Sequence, residues 1–323
     1  MSRPLRIEYK DAYYHVMNRG LGYKETFKEE ADFRLFMEII ADASKRFYIE
    51  IHAYCLMSNH YHLLIKTPCG NLGRAMRHIN GIYTQRRNRL YKTDGPLFRG
   101  RYKAILIDSD SYLLHLSKYI HMNPKKAKIV DNLDKYAWSS YSAYVGLASP
   151  PCWLFQDEIF GQLNTAINQA QAYAAFMQDE SIDKGILALY DKERFSPILA
   201  SDDFINQLPT KVRNKEVSYL EQTQYCAAIH VRNILKAVSE EFNVSINDLV
   251  NTKRGSGVQN IPRKIAMYIM QYHKELRLRE IATQFNLAHY GGVSSAINQV
   301  KKIIECNGEL ASKINNVINR LDP

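Results

Sequence analysis

Two apolar runs, "IEIHAYCLM" (residues 49–57) and "HYHLLIKT" (residues 60–67), are separated only by Ser58 and Asn59. A parallel crossover needs about a dozen residues, so a two-residue link between strands forces an antiparallel hairpin. Successive strand residues point to opposite faces. His60 and His62 therefore project to one face of the sheet and Tyr61 to the other. Two imidazoles side by side can share one metal ion. They can also be ordinary sheet histidines, so the pair needs support from the rest of the chain.

The flanking sequence sets the architecture. Residues 10–20 read as a Tyr- and Val-containing strand ended by Gly20. Residues 29–47 carry Phe33, Phe36, Met37, Ile40 and Ala43 at helical spacing. Residues 72–90 form a basic helix with Met76, Ile79 and Tyr83 on one side. Residues 101–108 are a fourth strand. Ser109 or Asp110 can then cap a helix that runs to about Met122 and stops before Pro124. The order β-α-β-β-α-β-α contains the ferredoxin-like split βαβ arrangement, an antiparallel sheet with helices on one face. The expected fold class is α+β, with an all-α helix-turn-helix domain to follow.

From Cys226 the pattern is helical. A helix and a short capped segment precede "IPRKIAMYIMQYHKEL", which has Pro262 at its start, then "RLREIATQFN" and "GGVSSAINQVKKIIE". A short helix, a turn and a helix that opens with polar residues make a helix-turn-helix layout. The expected division is 1–148 as a catalytic domain, 149–225 as an acidic, partly helical connector, and 226–323 as a helical DNA-binding domain.

Charge follows the same division. Residues 1–144 hold 24 Lys+Arg against 14 Asp+Glu; residues 145–225 hold 6 against 11; residues 226–323 hold 13 against 8. Two basic segments flank an acidic one, which suits two surfaces for a polyanion as well as a merely solvated basic surface. No run approaches the ~20 apolar residues of a membrane span. The N-terminus has no apolar signal core, so a cytoplasmic, nucleoid-associated protein is expected. The five cysteines are scattered without a C-x-x-C, which argues for a reducing compartment and against a zinc site or disulfide framework.

Support for the histidines comes from "SDSYLLHLSKYIHMNP". Leu113, Leu116 and Ile120 form a core stripe; Tyr112, His115, Tyr119 and Asn123 follow a neighbouring one. Tyr119 and Asn123 are i, i+4 partners. Coming straight after the fourth strand, this helix can fold back across the sheet near the histidines. Two imidazoles and an amide oxygen can hold a divalent ion that polarises a phosphodiester. A neighbouring tyrosine can attack phosphorus and become a covalent phosphotyrosine. A free phenol has a pKa near ~10, so it needs help to ionise. Spacing alone equally fits a tyrosine on an ordinary amphipathic helix. His115, one turn earlier, can orient Tyr119 or can simply pack.

"SNHYHLLI" resembles the histidine–hydrophobe–histidine motif of single-strand HUH transposases with one catalytic tyrosine. "FRGRYKAILID", "YLLHLSKYIHMNPKKAKIV" and "YAWSSYSAYVG" resemble the REP-associated tyrosine transposases, in the same order, over about residues 5–180. That resemblance implies Tyr119 as the nucleophile and His60, His62 and Asn123 as the metal site. It implies Mg²⁺ or Mn²⁺ as the ion and single-stranded or hairpin DNA, such as repetitive extragenic palindromes, as the substrate. Tyr61 departs from the family's plain hydrophobe but points away from the metal. Residues from about 230 onward resemble the C-terminal DNA-binding domain of DnaA-type replication initiators. There the initiators' Asp-His-Thr-Thr is replaced by Gly292-Val293-Ser294-Ser295, which implies a duplex-binding helix of altered sequence preference. A helical bundle for protein contact is the other reading.

Arg3, Arg6, Arg86, Arg87, Arg99, Arg101 and Lys103, with Lys118, Lys125 and Lys126 around the tyrosine, are candidates to position phosphates. Ser294 and Ser295 are candidates in the second domain. Tyr83, Tyr91 and Tyr102 can stack unpaired bases or belong to the core. The expected function is a metal-dependent strand transferase without membrane or small-molecule partners. Its rival is a DNA-binding regulator or repeat organiser whose nuclease site is idle.

Overall fold

The computed structural model describes residues 7–163, 168–179, 198–201, 203–206, 231–251, 260–272 and 278–321, with Ile186 and Leu276. Arg3, Arg6 and much of the stretch 180–225 lie outside the described residues. The chain divides into two compact units, Met1–Gln222 and Thr223–Pro323.

The first unit is built on strands β1 (Ala12–Arg19), β2 (Glu50–Met57), β3 (His60–Thr67), β4 (Lys103–Ile107) and β5 (Ile198–Leu199), in the order β2-β3-β1-β4-β5. The first four pair antiparallel, as the split βαβ reading requires. The parallel edge strand β5 is an addition that a two-residue apolar pair does not announce. Helix α1 (Glu30–Phe47) starts with a reciprocal capping box between Glu29 and Asp32 and ends at Tyr48 in the left-handed region, φ 50°. It packs with α2 (Leu72–Tyr91) on the face that carries Tyr61, whose ring centroid lies 4.9 Å from that of Phe36.

Helix α3 (Ser109–His121) lies against β2 and β3 on the opposite face. Its N-cap is Asp108, not Ser109 or Asp110. The Asp108 carboxylate accepts from Ser111 Oγ at 3.0 Å and from Ser201 Oγ at 2.7 Å. After Met122 a single further turn, α4 (Asn123–Lys126), restarts with Pro124 in its first turn, where a missing N–H costs nothing. Short helices follow, among them α5 (Tyr141–Tyr144), α6 (Asp157–Phe160) and α7 (Gln169–Gln178). Trp153, Leu154, Ile159, Tyr173 and Met177 from this acidic stretch join the same core as the sheet. At about 1.5–3 kcal/mol for each large side chain buried, they bind residues 153–177 firmly to the first unit. Cys55 and Cys152 are free.

In the second unit, residues 231–242 are helical (α8). They are followed by α9 (Ile246–Val250), α10 (Ile261–Tyr272), α11 (Leu278–Gln284), α12 (Gly291–Cys306) and α13 (Gly308–Leu321). Ser245 caps α9 by accepting from the Asp248 amide at 3.1 Å. Ile234, Val238, Leu249, Ile265, Ile269, Phe285, Val293 and Val300 form its core. The guanidinium of Arg263, buried beneath them, donates to the carbonyls of Leu249 (2.8 Å) and Phe285 (2.7 Å) and also to that of Val250. It thus ties the ends of α9 and α11 to α10. Among the described residues no helix is long and apolar enough to cross a membrane.

Candidate active site

The hairpin places His60 and His62 as alternation requires, with ring centroids 5.0 Å apart. The register pairs Met17 with His62 and Arg19 with His60, so His15 falls on the same face beside them. His15 Nε2 lies 2.9 Å from His62 Nδ1. On His60, Nδ1 is 2.6 Å from Asn59 Oδ1. A carbonyl oxygen only accepts, so His60 donates from Nδ1 and keeps its lone pair on Nε2. In both rings Nδ1 is engaged and Nε2 is the remaining nitrogen. His62 Nε2 is buried with no hydrogen-bond partner. Such an orphan ordinarily costs about 1–3 kcal/mol, and coordination to an ion would remove that cost. The donor set therefore fits a metal.

Helix α3 delivers Tyr119 to this face. Its ring stands edge-on to His15 and His62, with centroids 6.1 and 6.2 Å away. The Lys126 ammonium lies over the Tyr119 ring, 4.9 Å from its centre. One turn past the tyrosine, Asn123 Nδ2 donates to the carbonyls of Tyr119 (2.9 Å) and Ile120 (3.2 Å). These bonds occupy the amide nitrogen and fix the orientation of Oδ1.

Burial sets the protonation states. It lowers the pKa of His15 to about 3 and that of His60 to about 4, where Arg19 adds to the effect. His62 is pushed well below the usual range by burial, then by its two histidine neighbours. All three rings are neutral near pH 7, the form that binds metal. Burial raises Tyr119 to about 12, so the isolated site holds a neutral phenol.

The basic candidates divide. Arg86, Arg99, Arg101, Lys103 and Lys126 are exposed and Lys125 is half-buried. Arg87 donates to the Glu25 carbonyl at 3.1 Å and stacks over Tyr91. Lys118 turns inward, 2% exposed, and donates to the Phe176 carbonyl at 3.0 Å, so it braces α7. Tyr83 and Tyr102 are core residues; the Tyr91 hydroxyl donates to Asp32 at 2.9 Å. His115 is exposed and packs edge-on to Phe176. Ser294, half-buried, and Ser295, exposed, sit in the first turn of α12.

Sequence reasoning missed His15. Which face of β1 meets the β3 histidines depends on the pairing register, which local sequence does not give. It also missed a second group. Glu50, His52 and Glu158 present donor atoms all within 4.8 Å of one another.

Residues 8–123 match the family model described as "Transposase IS200 like", and residues 231–300 match that of the "Bacterial dnaA protein helix-turn-helix". Among curated proteins, the chain is 30% identical over 93 residues to a chromosomal replication initiator protein DnaA from Oenococcus oeni, covering 29% of this chain and 20% of the relative. It is 32% identical over 88 residues to that of Ehrlichia ruminantium, covering 27% and 18%. It thus spans about a fifth of these relatives. A solved structure of a REP-associated tyrosine transposase bound to a REP hairpin shares 17% identity at a TM-score of 0.40, covering 49% of this chain and 93% of that one. Residues 8–123 are thus similar to IS200-like transposases, and residues 231–300 to the DnaA-type helix-turn-helix.

Proposed function

We propose that this protein is a DNA strand transferase that nicks single-stranded or hairpin DNA through Tyr119. The reading is carried by the buried, unpartnered Nε2 of His62 on the face where Tyr119 stands against His15 and His62. His60, His62 and Asn123 would hold the ion, Mg²⁺ or Mn²⁺, because imidazole and amide donors on a phosphate substrate suit a harder ion than thiolate sites do. When bound, the ion supplies positive charge against the phosphodiester.

The chain's own residues do the rest. Tyr119 Oη forms a bond to phosphorus while the bond from phosphorus to the 3′ oxygen breaks. The phenol loses its proton and the departing oxygen ends as a 3′-hydroxyl, so the proton count balances. The product is a 5′-phosphotyrosine that retains the ester bond for rejoining. Lys126 lies over the attacking ring, where its charge favours the phenolate. Exposed Arg86, Arg99 and Arg101 are suited to hold backbone phosphates. The second unit, with Ser294 and Ser295 opening α12, would add contacts to flanking duplex.

The burial of Tyr119 favours a second reading, DNA binding without cleavage. Incubation with labelled hairpin DNA and Mn²⁺, followed by a denaturing protein gel, separates them. A labelled covalent adduct supports the transferase; binding without an adduct supports the regulator.

A further inference from the structure

On the histidine-bearing face, four residues along β3 from His62, stands a polar group that the proposed strand transfer does not use. Its centre is His52. Glu50 pairs with Lys66, Ile51 with Ile65 and Ala53 with Leu64, so His52 is the extra residue of a β-bulge. Bulges re-aim side chains. This one turns His52 towards Glu50, and α6 brings Glu158 from the other side. His52 Nε2 lies 3.6 Å from Glu50 Oε2 and 3.5 Å from Glu158 Oε2. The ring is 1% exposed, and neither of its nitrogens has a hydrogen bond.

Lys66 and Tyr13 complete the group. Lys66 Nζ reaches Glu158 Oε1 at 2.5 Å and Glu50 Oε2 at 3.4 Å, and the Tyr13 hydroxyl donates to Glu158 Oε2. Were this only an ion network closed by Lys66, a buried imidazole aimed at two carboxylates would remain without a hydrogen bond. The spacing of the donors accounts for it better. With the two carboxylate oxygens 3.5 and 3.6 Å from His52 Nε2 and within 4.8 Å of each other, a point equidistant from all three lies about 2.0–2.4 Å from each, in the range of bonds from a divalent ion to imidazole and carboxylate.

We propose that Glu50, His52 and Glu158 form a second divalent-metal site, distinct from the candidate active site. One imidazole and two carboxylates take a transition-metal ion, and Zn²⁺ more tightly than Mn²⁺ by the ordinary affinity order. The Lys66 ammonium, 17% exposed, is a competing cation that shares both carboxylates and would be displaced when the metal enters. The bound ion fastens α6 to the β2–β3 edge of the sheet. The site does not depend on the strand-transfer reading.

The test uses the full-length chain carrying His60→Ala and His62→Ala, so that the other histidine pair cannot bind, and Zn²⁺ alone as the probe. Equilibrium dialysis is expected to show one equivalent bound and a raised melting temperature. Adding Glu158→Gln, isosteric and partly exposed, is expected to weaken binding at least about tenfold, because a carboxylate ligand is lost. Adding Lys66→Met instead is expected to tighten it, since the competing charge is gone. An anomalous peak at the zinc edge between the three donors in crystals of the double-alanine chain checks the position without further substitution. No bound equivalent, or Zn²⁺ bound equally well after Glu158→Gln, overturns the proposal.

Discussion

His15 Nε2 and His62 Nδ1 lie 2.9 Å apart, across two neighbouring strands that place both rings in the dry interior of one face. His15 holds the ring of His62 so that Nε2 faces the site. Partners of this kind typically change metal affinity by about 10- to 100-fold when lost. His15→Phe, which fills the same space without a nitrogen, is expected to weaken Mn²⁺ binding by about that factor in a calorimetric titration, with the circular dichroism spectrum unchanged. Unaltered affinity would make His15 a packing residue.

Lys126 lies over the ring of Tyr119 on the turn after Pro124. A cation at that distance contributes about 0.5–2 kcal/mol, or roughly 2- to 30-fold in rate if it acts on the phenolate. Lys126→Met is expected to slow adduct formation within that range while hairpin affinity stays within a few-fold. Lys126→Arg should recover most of the rate. An equal loss of affinity and rate would instead mark Lys126 as a phosphate contact.

His121 is buried between Tyr173 and Ser140, with Nδ1 2.8 Å from the Tyr173 oxygen and Nε2 2.6 Å from Ser140 Oγ. Burial lowers its pKa to about 3, against 6.5 in the unfolded chain. The unfolded state binds the proton first on acidification, so stability falls as pH drops from about 6.5 towards 3. Between pH 7 and pH 5 this one group removes about 2 kcal/mol. Urea unfolding of the first unit at the two pH values is expected to show at least that loss, and His121→Gln should reduce the difference. Identical pH dependence in the variant would assign the acid sensitivity elsewhere.

Arg263 serves three carbonyls in the core of the second unit. Arg263→Ala strands them without donors, at a cost of about 2–4 kcal/mol. The second unit should therefore unfold at lower temperature in calorimetry while the first is unaffected. An unchanged second transition would mean that water replaces the guanidinium.

The sheet was legible in the sequence because its signals are local. Two residues between apolar runs dictate a hairpin, and period-2 alternation alone separates His60 and His62 from Tyr61. The resemblance to one-tyrosine transposases and to DnaA-type domains was equally legible from ordered motifs; the family models match residues 8–123 and 231–300, parts of the stretches that those motifs mark. What stayed hidden depends on distant partners. Nothing near Lys118 says that Phe176 will bring a carbonyl to its ammonium. The bulge at His52 and the arrival of Glu158 depend on pairing register and on a helix more than 100 residues away from Glu50. The acidic stretch carried no strong period, because its described helices are short, one turn and about three turns, and are held by Ile159 and Tyr173 packing on the sheet core.

One gel tests covalent capture of DNA by Tyr119. Full-length protein and its Tyr119→Phe variant are incubated with 5′- or 3′-labelled hairpin DNA and Mn²⁺, then resolved under denaturing conditions. Label is expected to travel with wild-type protein only when it lies 3′ of the cut, and not at all with the variant, while both bind the hairpin within a few-fold of each other. An adduct of the same yield in Tyr119→Phe would place the nucleophile on another residue and contradict the account.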